Sequence, residues 1–174
     1  MSSTIVTATA ADSKALSQLV NSAYRGESSR QGWTTEADLL DGQRTDEISL
    51  EKMIAQPGNT ILVYRDAEKN LLGCVYLQQK QVTVYLGMLT VSPSLQGRGI
   101  GKELLAASEL HARKAGCRSI TMTVISIRHE LIDWYKRHGY RETGETQPFP
   151  ADPAFGLPRQ ALEFIVLEKE LAAA

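Results

Sequence analysis

A glycine-rich run near the middle of the chain constrains the fold more than any other feature. It reads Gln-Gly-Arg-Gly-Ile-Gly at residues 96–101, after an apolar, strand-like segment at 82–91 and a short break at 92–94. A helical pattern follows directly at residues 102–115. The first N–H groups of a helix have no intrahelical partner, and glycine lets an anion approach them closely. This order of strand, glycine loop and helix predicts a phosphate-binding site.

The spacing within the run excludes two common phosphate-binding loops. A Walker A loop would need glycine at Gln96 and a hydroxyl residue at Glu103. A dinucleotide-binding fingerprint would need its third glycine at Lys102 and should lie near the start of a βαβ unit, not past the middle of the chain. Both mismatches disfavour a nucleotide-binding adaptor.

Composition indicates one domain spanning residues 1–174. The 174 residues are 43% apolar, which suffices for a core, and the net charge of −1 disfavours a nucleic-acid or membrane-surface partner. Cys74 and Cys117 lie in apolar surroundings, so we expect two buried free thiols, and no spacing suits a metal. The N-terminus has neither a basic nor an apolar leader segment, and no run has the length of a membrane span, so the expected location is the cytoplasm.

Periodicity and turn residues predict the order β-α-α-β-β-β-α-β-α-β-β, an α/β fold with a mixed sheet whose first half is antiparallel and whose second half follows a crossover helix. The predicted strands are residues 4–10, 60–65, 71–79, 82–91, 119–125, 140–146 and 161–170. The first predicted helix has its N-cap at Asp12 and ends at residue 24, and the third begins at Ser49 and ends before Pro57-Gly58. The other predicted helices are residues 35–40, 99–115 and 128–138. Residues 148–158 are predicted as a proline-rich loop.

The stretch 89–101, with Gln-x-x-Gly-x-Gly after a Val-x-Pro strand exit, closely resembles the acetyl-CoA pyrophosphate loop of the GNAT superfamily of N-acetyltransferases. The predicted element order resembles that fold from end to end. The resemblance implies direct transfer of an acetyl group from acetyl-CoA to a primary amine of a small acceptor, in a ternary complex and without a metal. It also implies a possible homodimer through the C-terminal strands.

The resemblance assigns the cofactor contacts to one strand and the loop. Backbone N–H groups of the strand would hold the pantetheine arm and the thioester carbonyl, and those of the loop would hold the pyrophosphate. Arg128 stands where the family often has an asparagine; it would contact the cofactor phosphates or the substrate, or cap the helix. The expected cofactor-binding residues are Leu89, Thr90, Val91, Gln96, Gly97, Arg98, Gly99, Ile100, Gly101, Lys102 and Arg128.

Residues 134–140 resemble the family's Tyr-x-x-x-Gly-aromatic segment, in which the tyrosine lies beside the CoA sulfur. Tyr135 is therefore the expected catalytic residue, donating a hydrogen bond or a proton to the departing thiolate. The family's common general base is a glutamate at the position of Gly87, so this chain lacks it. The candidates for the base, acting directly or through water, are Glu27, Glu36, His129 and Glu130.

The fold implies that residues 25–44 and 147–159 form the two walls of the acceptor site. The candidate substrate residues are Arg30, Trp33, Glu36 and Tyr85. Arginines on both walls, at positions 30, 44 and 159, would suit a substrate that carries a carboxylate. Two alternatives stay open: a non-catalytic acyl-CoA-binding or sensor domain, because the usual base is missing, and an acetyltransferase acting on a protein N-terminus or lysine.

Overall fold

The computed structural model of the protein describes residues 3–24, 40–41, 44–148, 157–158 and 162–172. The strands are β1 (Thr4–Thr7), β2 (Leu40–Asp41), β3 (Asn59–Arg65), β4 (Leu71–Lys80), β5 (Thr83–Val91), β6 (Ser119–Ile125), β7 (Arg141–Pro148), β8 (Leu157–Pro158) and β9 (Glu163–Glu170). The helices are α1 (Ser13–Tyr24), α2 (Glu47–Ala55), α3 (Ile100–Lys114) and α4 (His129–Arg137).

Seven strands form one mixed sheet in the order β1-β3-β4-β5-β6-β9-β7, and β2 pairs with β8 in a separate two-stranded sheet. Within the large sheet, β5 and β6 are parallel and every other neighbouring pair is antiparallel. Helix α3 provides the crossover that a parallel pair requires. The predicted α/β fold with a mixed sheet is confirmed.

The parallel pair at the centre of the sheet is short. Residues Thr83–Tyr85 of β5 pair with Ser119–Thr121 of β6, and no pairing continues beyond them in the described strands. The β4–β5 register also shifts between Cys74 and Tyr76, and Met88 has a φ of +54°. Such a bulge bends a strand. Strands β5 and β6 therefore diverge toward their C-terminal ends, and the sheet opens there.

The hydrophobic core lies on both faces of the sheet. Alternate residues of β3 point to opposite faces: Ile61 and Val63 pack with α1 and α2, whereas Leu62 packs on the other side. Leu104, on α3, is fully buried on that second side. Each such leucine contributes about 2 kcal/mol by leaving water. The sheet is therefore held rigidly between two helical layers. Cys74 and Cys117 are buried free thiols, as predicted.

In the first third of the chain, two predicted boundaries and one predicted cap were wrong. Strand β1 ends at Thr7, because residues Ala10–Asp12 form a 3-10 turn soon after it. In this turn the Asp12 carboxylate accepts a hydrogen bond from Thr9 N at 2.9 Å. Asp12 is thus not the N-cap of α1. Helix α2 begins at Glu47 rather than at residue 49, because the Asp46 carboxylate accepts from Ser49 N at 2.7 Å.

The proline-rich segment departs from its prediction at both ends. Strand β7 continues to Pro148, which pairs with Glu163, and residues 157–158 form β8 against β2. Edge positions need no N–H from proline, so these prolines are compatible with pairing. The helix predicted at 35–40 lies outside the described residues except for Leu40, which belongs to β2.

Candidate functional site

The glycine loop adopts a backbone conformation that other residues rarely take. Gly97 and Gly99 have φ angles of +86° and +85°, and Gly99 is the N-cap residue of α3. No atom lies within 4 Å of a Cβ built at either position, so conformation, not lack of space, favours glycine there. Because Gly99 is the N-cap of α3, the loop leads directly into a helix N-terminus, where the first N–H groups have no intrahelical partner and can bind an anion.

Two contacts fix the loop in place. The Gln96 side chain donates from Nε2 to the carbonyl of Val91 at 3.2 Å, which ties the loop to the end of β5. A Cβ at Gly101 would lie 3.4 Å from the Trp134 ring, so the first turn of α3 packs closely against α4. The hydrogen bond explains why a glutamine suits position 96, and the close packing on Trp134 explains why a glycine suits position 101.

The loop, the end of β5 and α4 enclose a cavity of about 570 Å³, here called the loop cavity. It includes most of the predicted cofactor contacts; Thr90 and Arg98 are not among its lining residues, and Thr90 is buried with its hydroxyl donating to the carbonyl of Met88. The loop cavity is lined by Leu89, Val91, Gln96, Gly97, Gly99, Ile100, Gly101, Lys102, Glu130, Leu131, Asp133, Trp134, Tyr135, Arg137 and His138.

A second cavity, of about 550 Å³, lies where β5 and β6 diverge and is here called the sheet cavity. Its charged lining residues are Arg44, Lys80, Arg128 and Glu145. Its other lining residues are Tyr24, Tyr85, Leu86, Gly87, Met88, Leu89, Thr121, Met122, Thr123, Val124, Ile125, Leu131, Tyr135, Gln147, Phe164 and Val166.

Among the described residues, three line both cavities: Leu89, Leu131 and Tyr135. The two cavities are therefore adjacent at these residues. Tyr135 is 6% exposed, and burial raises the pKa of its phenol well above the usual value, although the charge of Arg128 opposes this shift. The Tyr135 hydroxyl consequently stays protonated at neutral pH and can donate a hydrogen bond.

Tyr24 is a residue of this junction that sequence reasoning missed. Its hydroxyl donates a hydrogen bond to the carbonyl of Leu89, which lies 65 residues away in the sequence. Tyr24 also lines the sheet cavity and is the last residue of α1. Its position on the buried face of α1 was predictable, but its bond to β5 depends on the tertiary fold.

The remaining predicted residues fall into three groups. Arg128 lines the sheet cavity and not the loop cavity, and its side chain does not cap α4. Tyr85 lines the sheet cavity, and its hydroxyl is 3.0 Å from that of Thr123. A Cβ at Gly87 would lie 3.1 Å from the Tyr85 ring, so the ring occupies the space that Gly87 leaves. The candidate residues at positions 27, 30, 33, 36 and 159 lie outside the described residues.

Of the described candidates for the base, Glu130 lines the loop cavity and His129 lines neither cavity. Glu145, which the sequence did not single out, is the one carboxylate among the described residues of the sheet cavity. The β7–β9 register shifts between Glu142 and Thr146, so a bulge surrounds Glu145. Gly144, which lies in this bulge with a φ of +89°, is the sequence signal that could have indicated it, because an isolated glycine within a strand often marks a bulge.

Within the described ranges, no group of three or more His, Cys, Asp or Glu residues is arranged to hold a metal ion. None of the helices in the part of the chain that the structure describes is both long and apolar enough to cross a membrane.

Comparison with known proteins identifies a family. A family model for the acetyltransferase (GNAT) domain matches residues 27–150. Mycothiol acetyltransferase from Propionibacterium freudenreichii is 30% identical over 101 residues, which cover 54% of this chain and 32% of that protein. The chain spans 38%, 32% and 62% of the lengths of the three curated relatives that it matches.

Solved structures with the same fold cover nearly the whole chain. The ribosomal-protein-S18-alanine N-acetyltransferase from Escherichia coli aligns with a TM-score of 0.73 at 14% identity, over 99% of this chain and 96% of that one. The ribosomal-protein-alanine N-acetyltransferase from Brucella melitensis aligns with a TM-score of 0.72 at 21% identity, over 97% and 99%. At these identities the likeness establishes the fold alone.

Proposed function

Because the chain belongs to the GNAT acetyltransferase family, we propose that this acyltransferase moves an acetyl group from acetyl-CoA to a primary amine of a small acceptor. The single observation that carries the proposal is the junction of the two cavities at Leu89, Leu131 and Tyr135. A donor held in the loop cavity would present its acyl group there to an amine in the sheet cavity. Such proximity is a large part of what an enzyme contributes to a two-substrate reaction.

The loop cavity fits a CoA-type donor. The N–H groups of the loop and of the first turn of α3 suit a pyrophosphate, and Lys102, which also lines the loop cavity, adds positive charge. Away from the glycine loop, the loop cavity extends along β5, where Leu89 and Val91 line it. The backbone N–H groups of residues 89–91 would hold the pantetheine arm and stabilise the oxyanion that forms at the thioester carbonyl. Acetyl-CoA supplies an activated acyl group with a thiolate as leaving group.

Tyr135 would assist the departure of that thiolate. A thiol has a pKa of about 8.5 and an unperturbed phenol one of about 10. Burial raises the pKa of Tyr135 further, so complete proton transfer to the thiolate would be uphill. We assign Tyr135 a hydrogen bond to the sulfur as negative charge develops there.

The acceptor would lie in the sheet cavity and attack directly, in a ternary complex. Among the described residues, the two cysteines are buried and neither lines the loop cavity or the sheet cavity, which supports a mechanism without a covalent enzyme intermediate. The cavity volume of about 550 Å³ lies within the range typical of small-molecule sites.

The proposal is tested by thiol release from acetyl-CoA with a panel of amines, amino acids and peptides, comparing the wild type with Tyr135→Phe. We expect kcat to fall by about 10- to 100-fold, because a hydrogen bond to a charged group is worth about 1.5–3 kcal/mol, with an unchanged dissociation constant for CoA. Tyr140→Phe is the matched control, because Tyr140 packs edge-to-face on Tyr135 with ring centroids 5.9 Å apart but lines neither cavity.

Three outcomes separate the possibilities. A selective loss of kcat in Tyr135→Phe supports acetyl transfer and the role of the phenol. Tight CoA binding without turnover on any amine would instead favour a non-catalytic acyl-CoA-binding or sensor domain. Failure to bind CoA would contradict the proposed role of residues 96–101.

A further inference from the structure

The sheet cavity follows the groove that opens between β5 and β6. The parallel pairing of these strands ends at Tyr85 and Thr121, and beyond this pair no further backbone pairing joins them in the described strands. Residues of both strands line the cavity from this level to Leu89 and Ile125. The groove is therefore closed at Tyr85 and open toward Leu89, where the sheet cavity adjoins the loop cavity.

The Tyr85 side chain crosses this groove. Continuing the register of the last pair would place Gly87 opposite Thr123. The Tyr85 hydroxyl is 3.0 Å from the Thr123 hydroxyl, and a Cβ built on Gly87 would lie 3.1 Å from the Tyr85 ring and 3.6 Å from its hydroxyl. The ring thus leans two residues along β5 and joins β5 to β6 at a level where their backbones no longer pair. This contact is here called the Tyr85–Thr123 bridge.

Neighbouring side chains hold the ring in this position. The Tyr76 ring packs edge-to-face on the Tyr85 ring with centroids 6.5 Å apart, and the Lys80 ammonium nitrogen lies 5.4 Å from the centre of the Tyr85 ring. Glycine at position 87 leaves the space that the ring fills. A side chain whose rotamer is fixed by its neighbours forms a firm wall for a ligand. Tyr85 therefore sets one boundary within the sheet cavity.

The Tyr85–Thr123 bridge leaves a short stretch of groove next to the loop cavity. Gly87, at the level of the bridge, is two residues from Leu89, and two residues of a strand span about 7 Å. Bonds of about 1.5 Å advance an extended carbon chain by somewhat less than their length, so about five carbons fill this stretch. Lys80 and Thr121 line the sheet cavity on the other side of the bridge.

We infer that Tyr85 is a specificity-determining residue that limits the length of the acceptor. The acceptor's amine lies at the junction beside Leu89 and Tyr135, its chain extends along the groove, and the Tyr85 ring stops it after about five carbons. The favoured acceptor is a primary amine no longer than one extended amino-acid side chain, and extended peptides and long polyamines are disfavoured. The inference rests on the proposed function and adds the size of the acceptor.

The experiment uses calorimetric titration with bisubstrate analogues, in which an acetamide links the CoA sulfur to a straight alkyl chain. The probes carry propyl, butyl, pentyl, hexyl and octyl chains. Such an analogue places a chain in the sheet cavity without requiring turnover. Each methylene that leaves water should lower Kd about fourfold. In the wild type we therefore expect Kd to fall as far as the pentyl analogue and then to stay level or rise.

Tyr85→Ala should remove this limit. We expect the ratio of the pentyl Kd to the octyl Kd to increase by about 10-fold or more relative to the wild type. Tyr85→Phe loses the hydroxyl but keeps the ring, and should keep the limit near five carbons. Tyr64→Ala is the matched control, since Tyr64 is a half-buried tyrosine of β3 that lines neither the loop cavity nor the sheet cavity.

A limit near five carbons that Tyr85→Ala moves and Tyr64→Ala does not would support the inference. A steady fall of Kd through octyl in the wild type, a limit that Tyr85→Ala leaves in place, or no dependence on chain length would overturn it and leave the proposed function intact. Should Tyr85→Ala not fold, Tyr85→Leu, which is too short to reach Thr123, makes the same comparison. Failure of CoA itself to bind would overturn the proposed function instead.

Discussion

The loop cavity and the sheet cavity are built in different ways. The part of the loop cavity that we propose binds the pyrophosphate comes from one segment, residues 96–102, of which all but Arg98 line the cavity, and it would rely on backbone N–H groups and on two glycines with positive φ. Among the described residues, the sheet cavity is lined by residues of α1, β4, β5, β6, α4, β7 and β9, and by Arg44 and Arg128, which lie outside these elements. A backbone site of this kind suits a ligand that many related proteins share, whereas a side-chain site can change its ligand through single substitutions.

The largest expected effect is a loss of CoA affinity from a substitution that alters the loop cavity alone. Gly99→Val should weaken CoA binding by about 100-fold, or roughly 2.7 kcal/mol, because valine resists a φ of +85° and the loop must move. Gly116→Val is the matched control: Gly116 has a φ of +79°, with no atom within 4 Å of a built Cβ, but lies at the opposite end of α3.

Both variants should lose about 1–3 kcal/mol of unfolding free energy from backbone strain. Calorimetric titration with CoA, together with urea denaturation, separates the two effects. Equal losses of CoA affinity in the two variants would mean that general destabilisation, and not the loop, controls binding.

A smaller effect is expected where the two cavities meet. Tyr24→Phe removes the donor to the Leu89 carbonyl and leaves a buried acceptor unsatisfied, at a cost of about 1–3 kcal/mol in unfolding free energy. Because Leu89 lines both cavities, kcat should also fall, by about 10-fold, which equals about 1.4 kcal/mol in barrier height. The measurements are urea denaturation and steady-state kinetics.

Tyr140→Phe provides the opposite case with the same chemical change. The Tyr140 hydroxyl is buried and has no hydrogen-bond partner among the described residues, so its removal should leave stability unchanged or raise it by up to about 1 kcal/mol. If Tyr24→Phe proved as harmless as Tyr140→Phe, the bond to Leu89 would have no role in holding β5.

The smallest expected effect concerns pH. Burial raises the pKa of Tyr135 well above 10, so its phenol stays in the donating, protonated form throughout the neutral and mildly alkaline range. At saturating substrates, kcat should therefore change by less than about twofold between pH 8 and pH 9.5. A pH profile of kcat checks this, and a decline across that interval that is absent in Tyr135→Phe would show that the phenol titrates there.

Sequence reasoning succeeded where local signals decide the structure. Strand β6 was predicted with its observed bounds, and α3 was predicted as 99–115 and runs from Ile100 to Lys114, because glycines mark both of its ends. The loop between β5 and α3 was recognised for the same reason. Its residues are contiguous, and their conformation follows from their own backbone preferences.

Sequence reasoning failed where contacts join distant segments. Tyr24 meets Leu89 only after α1 packs on the sheet, and Glu145 lines the sheet cavity through the register of β7 on β9. The role of Gly87 depends on the Tyr85 ring beside it. None of these contacts has a local pattern, because side chains on neighbouring strands meet through register and bulges and not through spacing along the chain.

The most direct test of the account is a crystal structure of the protein with CoA bound. We predict that the pyrophosphate lies against the N–H groups that follow Gly97 and Gly99, and that the sulfur lies beside the Tyr135 hydroxyl where the two cavities meet. A pyrophosphate bound away from residues 97–102, or a sulfur outside hydrogen-bonding reach of Tyr135, would contradict the proposed meeting of donor and acceptor at this junction.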